Sequence, residues 1–236
     1  TVEDAKSMGY IIPDNYTSYD DNRFKSATGE YAVPRLNFDN VDKLMKAAHE
    51  NGVKLRGHTL VWHQQTPKYF FQQNYKITTG QKYNTSKECM DTRLEFYVKT
   101  VMNHVLSSEY ADCLYSYDVV NEYLHSANAE KDSKNITYWG LIYGTYDKSV
   151  KDHGVTLRPS YVKDAFKYAH EMLVKYDRLD VKLIYNDYNC YQNPENIIHL
   201  VDYINSEGKV CDGIGMQSHL DITDSFHSAT NYAKAL

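Results

Sequence analysis

An α/β fold, a parallel sheet walled by helices, is predicted by two observations. Segments with helical spacing of apolar residues alternate with short strand-like apolar runs, and every such run ends in polar and aromatic side chains. Alternation with strands apolar on both faces argues for parallel strands covered by helices. The second observation separates a barrel from an open sheet. A doubly wound sheet gathers its functional residues near one switch point, whereas a barrel presents them at the end of every strand. No glycine-rich phosphate loop follows any of the runs. A (β/α)8 barrel is therefore expected.

The elements follow in order. From Asn40 to Asn51, Val41, Leu44, Met45, Ala47 and Ala48 recur at helical spacing, and Asn51-Gly52 suits a left-handed C-cap. Val53 to Trp62 reads as strand. A second helix is predicted from Lys87 to Ser108 on Leu94, Tyr97, Val98, Val101, Met102 and Val105, followed by a strand from Leu114 to Val120. Pro159 suits the first turn of a third helix that places Val162, Ala165, Phe166, Ala169, Met172, Leu173 and Tyr176 on one face. Val181 to Asn186 is the next strand. Pro194 opens a fourth helix with Ile197, Ile198, Val201 and Ile204 inward, ended by Glu207-Gly208, before a strand from Gly213 to Gln217. Asp14 to Pro34 reads as a polar loop, and the whole chain, 1–236, as one partial barrel domain.

Its 236 residues fall slightly short of the roughly 250 of a complete eightfold barrel. The net charge of −5 offers no basic surface for nucleic acid or anionic lipid, so neither is expected as a partner. No apolar run is long enough for a membrane span, and no leader pattern is visible at Thr1. Cys89, Cys113, Cys190 and Cys211 lack the spacing of a zinc site and are too few for a dense disulfide framework. Tyrosine is abundant at 23 residues, a side chain suited to sugar stacking as well as to wet packing.

Four strand ends carry the chemistry: Arg56-Gly57-His58-Thr59-Leu60-Val61-Trp62-His63, Tyr117-Asp118-Val119-Val120-Asn121-Glu122, Leu183-Ile184-Tyr185-Asn186-Asp187-Tyr188-Asn189 and Gly213-Ile214-Gly215-Met216-Gln217-Ser218-His219. Glu122 sits just past Val119-Val120 and is expected to be partly desolvated, an environment that would keep a carboxylic acid's proton available near neutral pH. Strand alternation puts His58 and Trp62 on one face with His63 opposite, and Gln217 with His219 on another shared face. A zinc site from His58, His63 and His219 is disfavoured by that geometry and by the absence of a metal-ligand motif.

In this order the four stretches resemble strands three to six of the glycoside hydrolase family 10 barrel, the endo-xylanases. The resemblance covers about residues 36–222 and implies a retaining endo-1,4-β-xylanase without metal or organic cofactor, acting on xylan or xylo-oligosaccharide and secreted. It makes Glu122 the catalytic acid/base and gives Asn121 a hydrogen bond to the sugar 2-hydroxyl. Asp118 becomes a supporting carboxylate that orients a histidine. By the same resemblance His58 binds the sugar at the cleavage point, Trp62 forms the wall beneath it, and Gln217 and His219 hold the nucleophilic carboxylate and the sugar. Tyr188 and Asn189 become a wall on the leaving-group side.

Two departures accompany this. The family's nucleophile, a glutamate ending the seventh strand, and its second strand, which binds the distal sugar, have no match between Thr1 and Leu236, so a complementary segment carrying the missing strands is expected. Tyr117 stands where the family usually has tryptophan. The alternatives are a non-catalytic xylan-binding or structural fragment, and a β-glucanase on the same scaffold.

Overall fold

A computed structural model describes residues 36–75, 84–126, 137–151, 153–219, 230 and 233. The polar loop expected between Asp14 and Pro34 lies outside them. Four strands, β1 (Leu55–Trp62), β2 (Leu114–Asn121), β3 (Lys182–Asp187) and β4 (Gly213–Met216), pair in parallel and lie side by side in chain order. That order has no reversal, so the sheet winds one way as a barrel does and lacks the switch point of a doubly wound sheet.

Among the described residues the α-helices are α1 (Asp39–Glu50), α2 (Lys87–Ser107), α3 (Tyr138–Tyr143), α4 (Ser160–Lys175) and α5 (Pro194–Ile204). All but α3 fall within a few residues of expectation, and the causes are local. Gly52 adopts the left-handed conformation (φ 65°) that closes α1, and its N–H donates to the His49 carbonyl at 3.1 Å. Pro194 occupies the first turn of α5, whereas Pro159 is the N-cap of α4 rather than its first helical residue. The six-residue α3 is too short to show periodicity. Its helix is marked instead by Thr137, whose side chain accepts the Gly140 N–H at 3.1 Å, and by Gly144 at φ 63°.

Ser86 caps α2, its hydroxyl accepting the Cys89 N–H at 3.2 Å. Ser86→Ala should therefore lower stability by about 1 kcal/mol, read as a shifted urea midpoint with an unchanged slope.

α2 and α4 form the wall behind the sheet. Met90, Leu94, Val98 and Met102 of α2 and Val162, Ala165, Phe166 and Ala169 of α4 are fully buried with Val119, Leu183 and Tyr185 of the strands. The opposite face is not apolar as expected: Arg56, His58, Asp118 and Asn186 meet there. A polar interior is tolerated because each of these groups hydrogen-bonds another.

Tyr117 is half-buried over Gly57, where a Cβ would lie 2.4 Å from its ring, so only glycine fits opposite it. The four thiols are buried. Burial pushes Cys190 up to about 12 and Cys211 up to about 11, which leaves both unreactive near neutral pH.

Candidate active site

Strand register sets the site. Trp62 pairs with Asn121 and Asn121 with Asn186, which brings three strand ends level. Glu122, one residue beyond β2, turns into the left-handed conformation (φ 56°, ψ 36°) and is 7% exposed. Trp62 Nε1 donates to its Oε2 at 2.8 Å, and Gln217 Nε2 donates to its Oε1 at 2.9 Å. The carboxyl is thus held from two sides, by β1 and by the segment after β4.

Asn121 lies beside it. Its Oδ1 accepts from Asn186 Nδ2 at 2.8 Å and from Gln217 Nε2 at 3.1 Å, so its own N–H groups are the side able to donate to a ligand.

A second carboxylate supports this arc from below. Asp118 is 3% exposed, accepts Arg56 Nε at 2.8 Å on Oδ1, and meets His58 Nδ1 at 2.9 Å on Oδ2. An ionised carboxylate only accepts, so His58 Nδ1 carries the proton and Nε2 remains for a ligand. Arg56 Nη2 also donates to Asn186 Oδ1 at 3.0 Å. One hydrogen-bonded chain therefore runs from His58 through Asp118, Arg56, Asn186, Asn121 and Gln217 to Glu122. Gly215 makes room for it, since a Cβ there would sit 2.2 Å from Arg56 Nη2 and 2.4 Å from Asn186 Oδ1.

Seven expected residues converge: Glu122, Asn121, Asp118, His58, Trp62, Gln217 and His219. Asp118, expected to orient a histidine, lies 2.9 Å from His58 Nδ1. The Gln217 amide holds the Glu122 carboxyl, while its Oε1 meets His219 Nε2 at 2.9 Å. The amide reaches Glu122 because both extend from strand ends that β3 separates by a single strand width.

Tyr188 stacks on His125 with centroids 3.8 Å apart, and burial, with the Asp187 and Glu122 carboxylates, pushes its phenol above the ordinary range. Asn189 has a left-handed backbone (φ 49°), and its carbonyl accepts the Gln192 N–H at 2.9 Å, a part in shaping the loop after β3.

Arg56 and Asn186 carried no role in the sequence reading. Both had a signal: Arg56 precedes His58 by two positions and so shares its face, and Asn186 is the next-to-last residue of β3, level with Asn121 at the end of β2. A cavity of about 740 Å³ beside β1 is lined by His58, Trp62, Gln64, Gln65, Tyr69, Tyr75 and Trp139 among others. Glu122 does not line it, so the cavity flanks the acid rather than containing it. Amides and aromatic faces are a lining suited to hydroxylated rings.

His63 Nδ1 is buried without a hydrogen-bond partner among the described residues, and burial lowers its pKa below the ordinary 6.5 against the pull of Glu122 and Asp187. The folded ring stays neutral where the unfolded ring already binds a proton, so this contribution is lost as pH falls below about 6.5. The melting temperature should drop more between about pH 7.5 and 5.5 in the wild type than in His63→Phe, and parallel profiles would reject the assignment.

Comparison with known proteins identifies the family. The sequence model of glycosyl hydrolase family 10 matches residues 5–236. The chain is 44% identical to an endo-1,4-beta-xylanase A of Butyrivibrio fibrisolvens over its whole length and spans 49% of that relative. It is 35% identical to an endo-1,4-beta-xylanase A of Thermotoga maritima over 80% of its length, covering 15% of that protein. Among solved structures, the endo-1,4-beta-D-xylanase 10B of Clostridium thermocellum, complexed with xylohexaose, superposes with a TM-score of 0.63 at 31% identity, over 81% of this chain and 36% of that one. The chain thus spans about half the length of the Butyrivibrio relative and less of the others. It belongs to glycosyl hydrolase family 10, and its sheet is a consecutive set of strands from that family's (β/α)8 barrel.

Proposed function

We propose that the protein carrying this chain is a retaining endo-1,4-β-xylanase in which Glu122 is the acid/base. The observation that carries this reading is the Glu122 carboxyl, buried and gripped between Trp62 and Gln217 with the Asn121 amide beside it. Glu122 protonates the leaving xylosyl oxygen, then takes a proton from the water that releases the glycosyl-enzyme intermediate. His58 Nε2 accepts from one hydroxyl of the sugar at the cleavage point and the Asn121 amide donates to another, over the Trp62 ring.

Retention needs a second carboxylate about 5 to 5.5 Å away. The two other buried carboxylates of the sheet are committed, Asp118 to Arg56 and His58, and Asp187 to His125 and Tyr185. The nucleophile in this reading is a glutamate carried outside these 236 residues, on a complementary segment that also covers the sheet edges. Xylan is a polymer outside the cell, so the protein is secreted.

The same commitment of Asp118 and Asp187 supports a second reading for the isolated chain, a fragment that binds xylan without cutting it. A β-glucanase differs only in the sugar accepted. Full-length protein incubated with xylo-oligosaccharide and followed by proton NMR should release the β-anomer first, and the 236-residue chain should bind without hydrolysis. Early α-anomer, or turnover of a β-glucan in preference to xylan, would sink the xylanase reading.

A further inference from the structure

The left-handed backbone of Glu122 is a conformation that a residue with a Cβ abandons unless its surroundings hold it. Trp62 and Gln217 reach only the carboxyl. What grips the backbone is the end of β3. The Asn186 carbonyl accepts the Glu122 N–H at 2.8 Å. Tyr185 Oη accepts the Leu124 N–H at 3.1 Å and donates to Asp187 Oδ2. Asp187 Oδ1 in turn meets His125 Nδ1 at 2.7 Å and accepts the Tyr188 N–H at 2.8 Å.

The turn after the acid is therefore tied down at residues 122, 124 and 125. Tyr185 and Asp187 are both 0% exposed, so no solvent can replace a lost bond. A buried carboxylate is a poor choice for filling space, and its hydrogen bonds specify geometry that an apolar side chain would not.

We propose that Tyr185, Asp187 and His125 are positioning residues that hold the left-handed turn and thereby aim the Glu122 carboxyl. The proposal rests on the reading of Glu122 as acid/base. Through Tyr188, stacked on His125, the same clamp couples the acid to the residue expected to wall the leaving-group side.

The test uses the full-length protein with Tyr185→Phe, His125→Ala and His125→Asn, whose amide can donate from close to the Nδ1 position. Two readouts are needed. The first is kcat/KM on xylotetraose against an aryl β-xylobioside with an activated leaving group. The second is the indole N–H resonance of Trp62, which reports where the Glu122 carboxyl lies and is assigned by its loss in Trp62→Phe.

Tyr185→Phe and His125→Ala should lower kcat/KM on xylotetraose about tenfold while the aryl substrate changes less than about twofold, and the resonance should move. His125→Asn should recover most of the His125→Ala loss. Equal losses on both substrates with an unmoved resonance, or no loss at all, would overturn the proposal. Should Tyr185→Phe fail to fold, the His125 pair decides, since that ring is partly exposed. A wild type inactive on xylan would overturn the xylanase reading alone, and the Trp62 resonance would then decide the clamp.

Discussion

Glu122→Ala should lower kcat/KM on xylan by about 10³-fold, within the range that a positioned general acid supplies. The loss should depend on the leaving group. Expelling a xylosyl oxygen needs its proton delivered in the transition state, whereas an activated aryl leaving group departs without one, so kcat/KM on an aryl β-xylobioside should change by less than about tenfold. The structure adds a structural control. Trp62 and Gln217 both donate to the Glu122 carboxyl, at 2.8 and 2.9 Å, and alanine leaves both donors to solvent rather than to a clash. The melting temperature should therefore move little compared with activity. Equal losses on both substrates would mean that Glu122 acts on the fold or on binding and not as the proton donor.

Arg56→Met should destabilise the protein by about 3 kcal/mol, the low end of what breaking a buried ion pair costs. The low end applies because the Arg56 side chain is 37% exposed, while that of its partner Asp118 is 4%. Removing the guanidinium leaves Asp118 with His58 as its one remaining side-chain partner, and strips Asn186 Oδ1 of a donor. The second substitution Asp118→Asn should restore a good part of the loss, because it removes the charge that had become uncompensated. Thermal or urea unfolding of the two single variants and the double variant measures this coupling. Additive losses would show that Arg56 packs against the sheet without balancing Asp118.

Much of the site was legible because barrel strands end where their chemistry begins. Asp118, Asn121 and Glu122 stand on or just past one strand end and His58 and Trp62 at alternate positions of another; alternation places His58 with Trp62, whereas Asp118 and Asn121, an odd number of residues apart, reach one network across a register shift in β2. Nothing local says which carboxyl the Gln217 amide will reach, and only the tertiary structure brings it onto Glu122. Arg56 was hidden for a related reason. A basic residue in a strand is consistent with an exposed edge, and only the pairing of β1 with β2 brings it onto Asp118. The polar inner face misled for the same cause: hydrophobic patterning cannot show that four polar side chains satisfy one another.

What the sequence determined by itself is the succession of helices and strands and the identity of the strand-end residues, since both follow from local spacing and from helix-end signals such as Gly52 and Pro194. Tertiary structure alone decided the register that levels Trp62, Asn121 and Asn186, the left-handed turn at Glu122, and the clamp of Tyr185, Asp187 and His125 around it. Register and clamp join groups some sixty residues apart along the chain, and such contacts depend on how whole strands settle side by side rather than on any property a short window of residues contains.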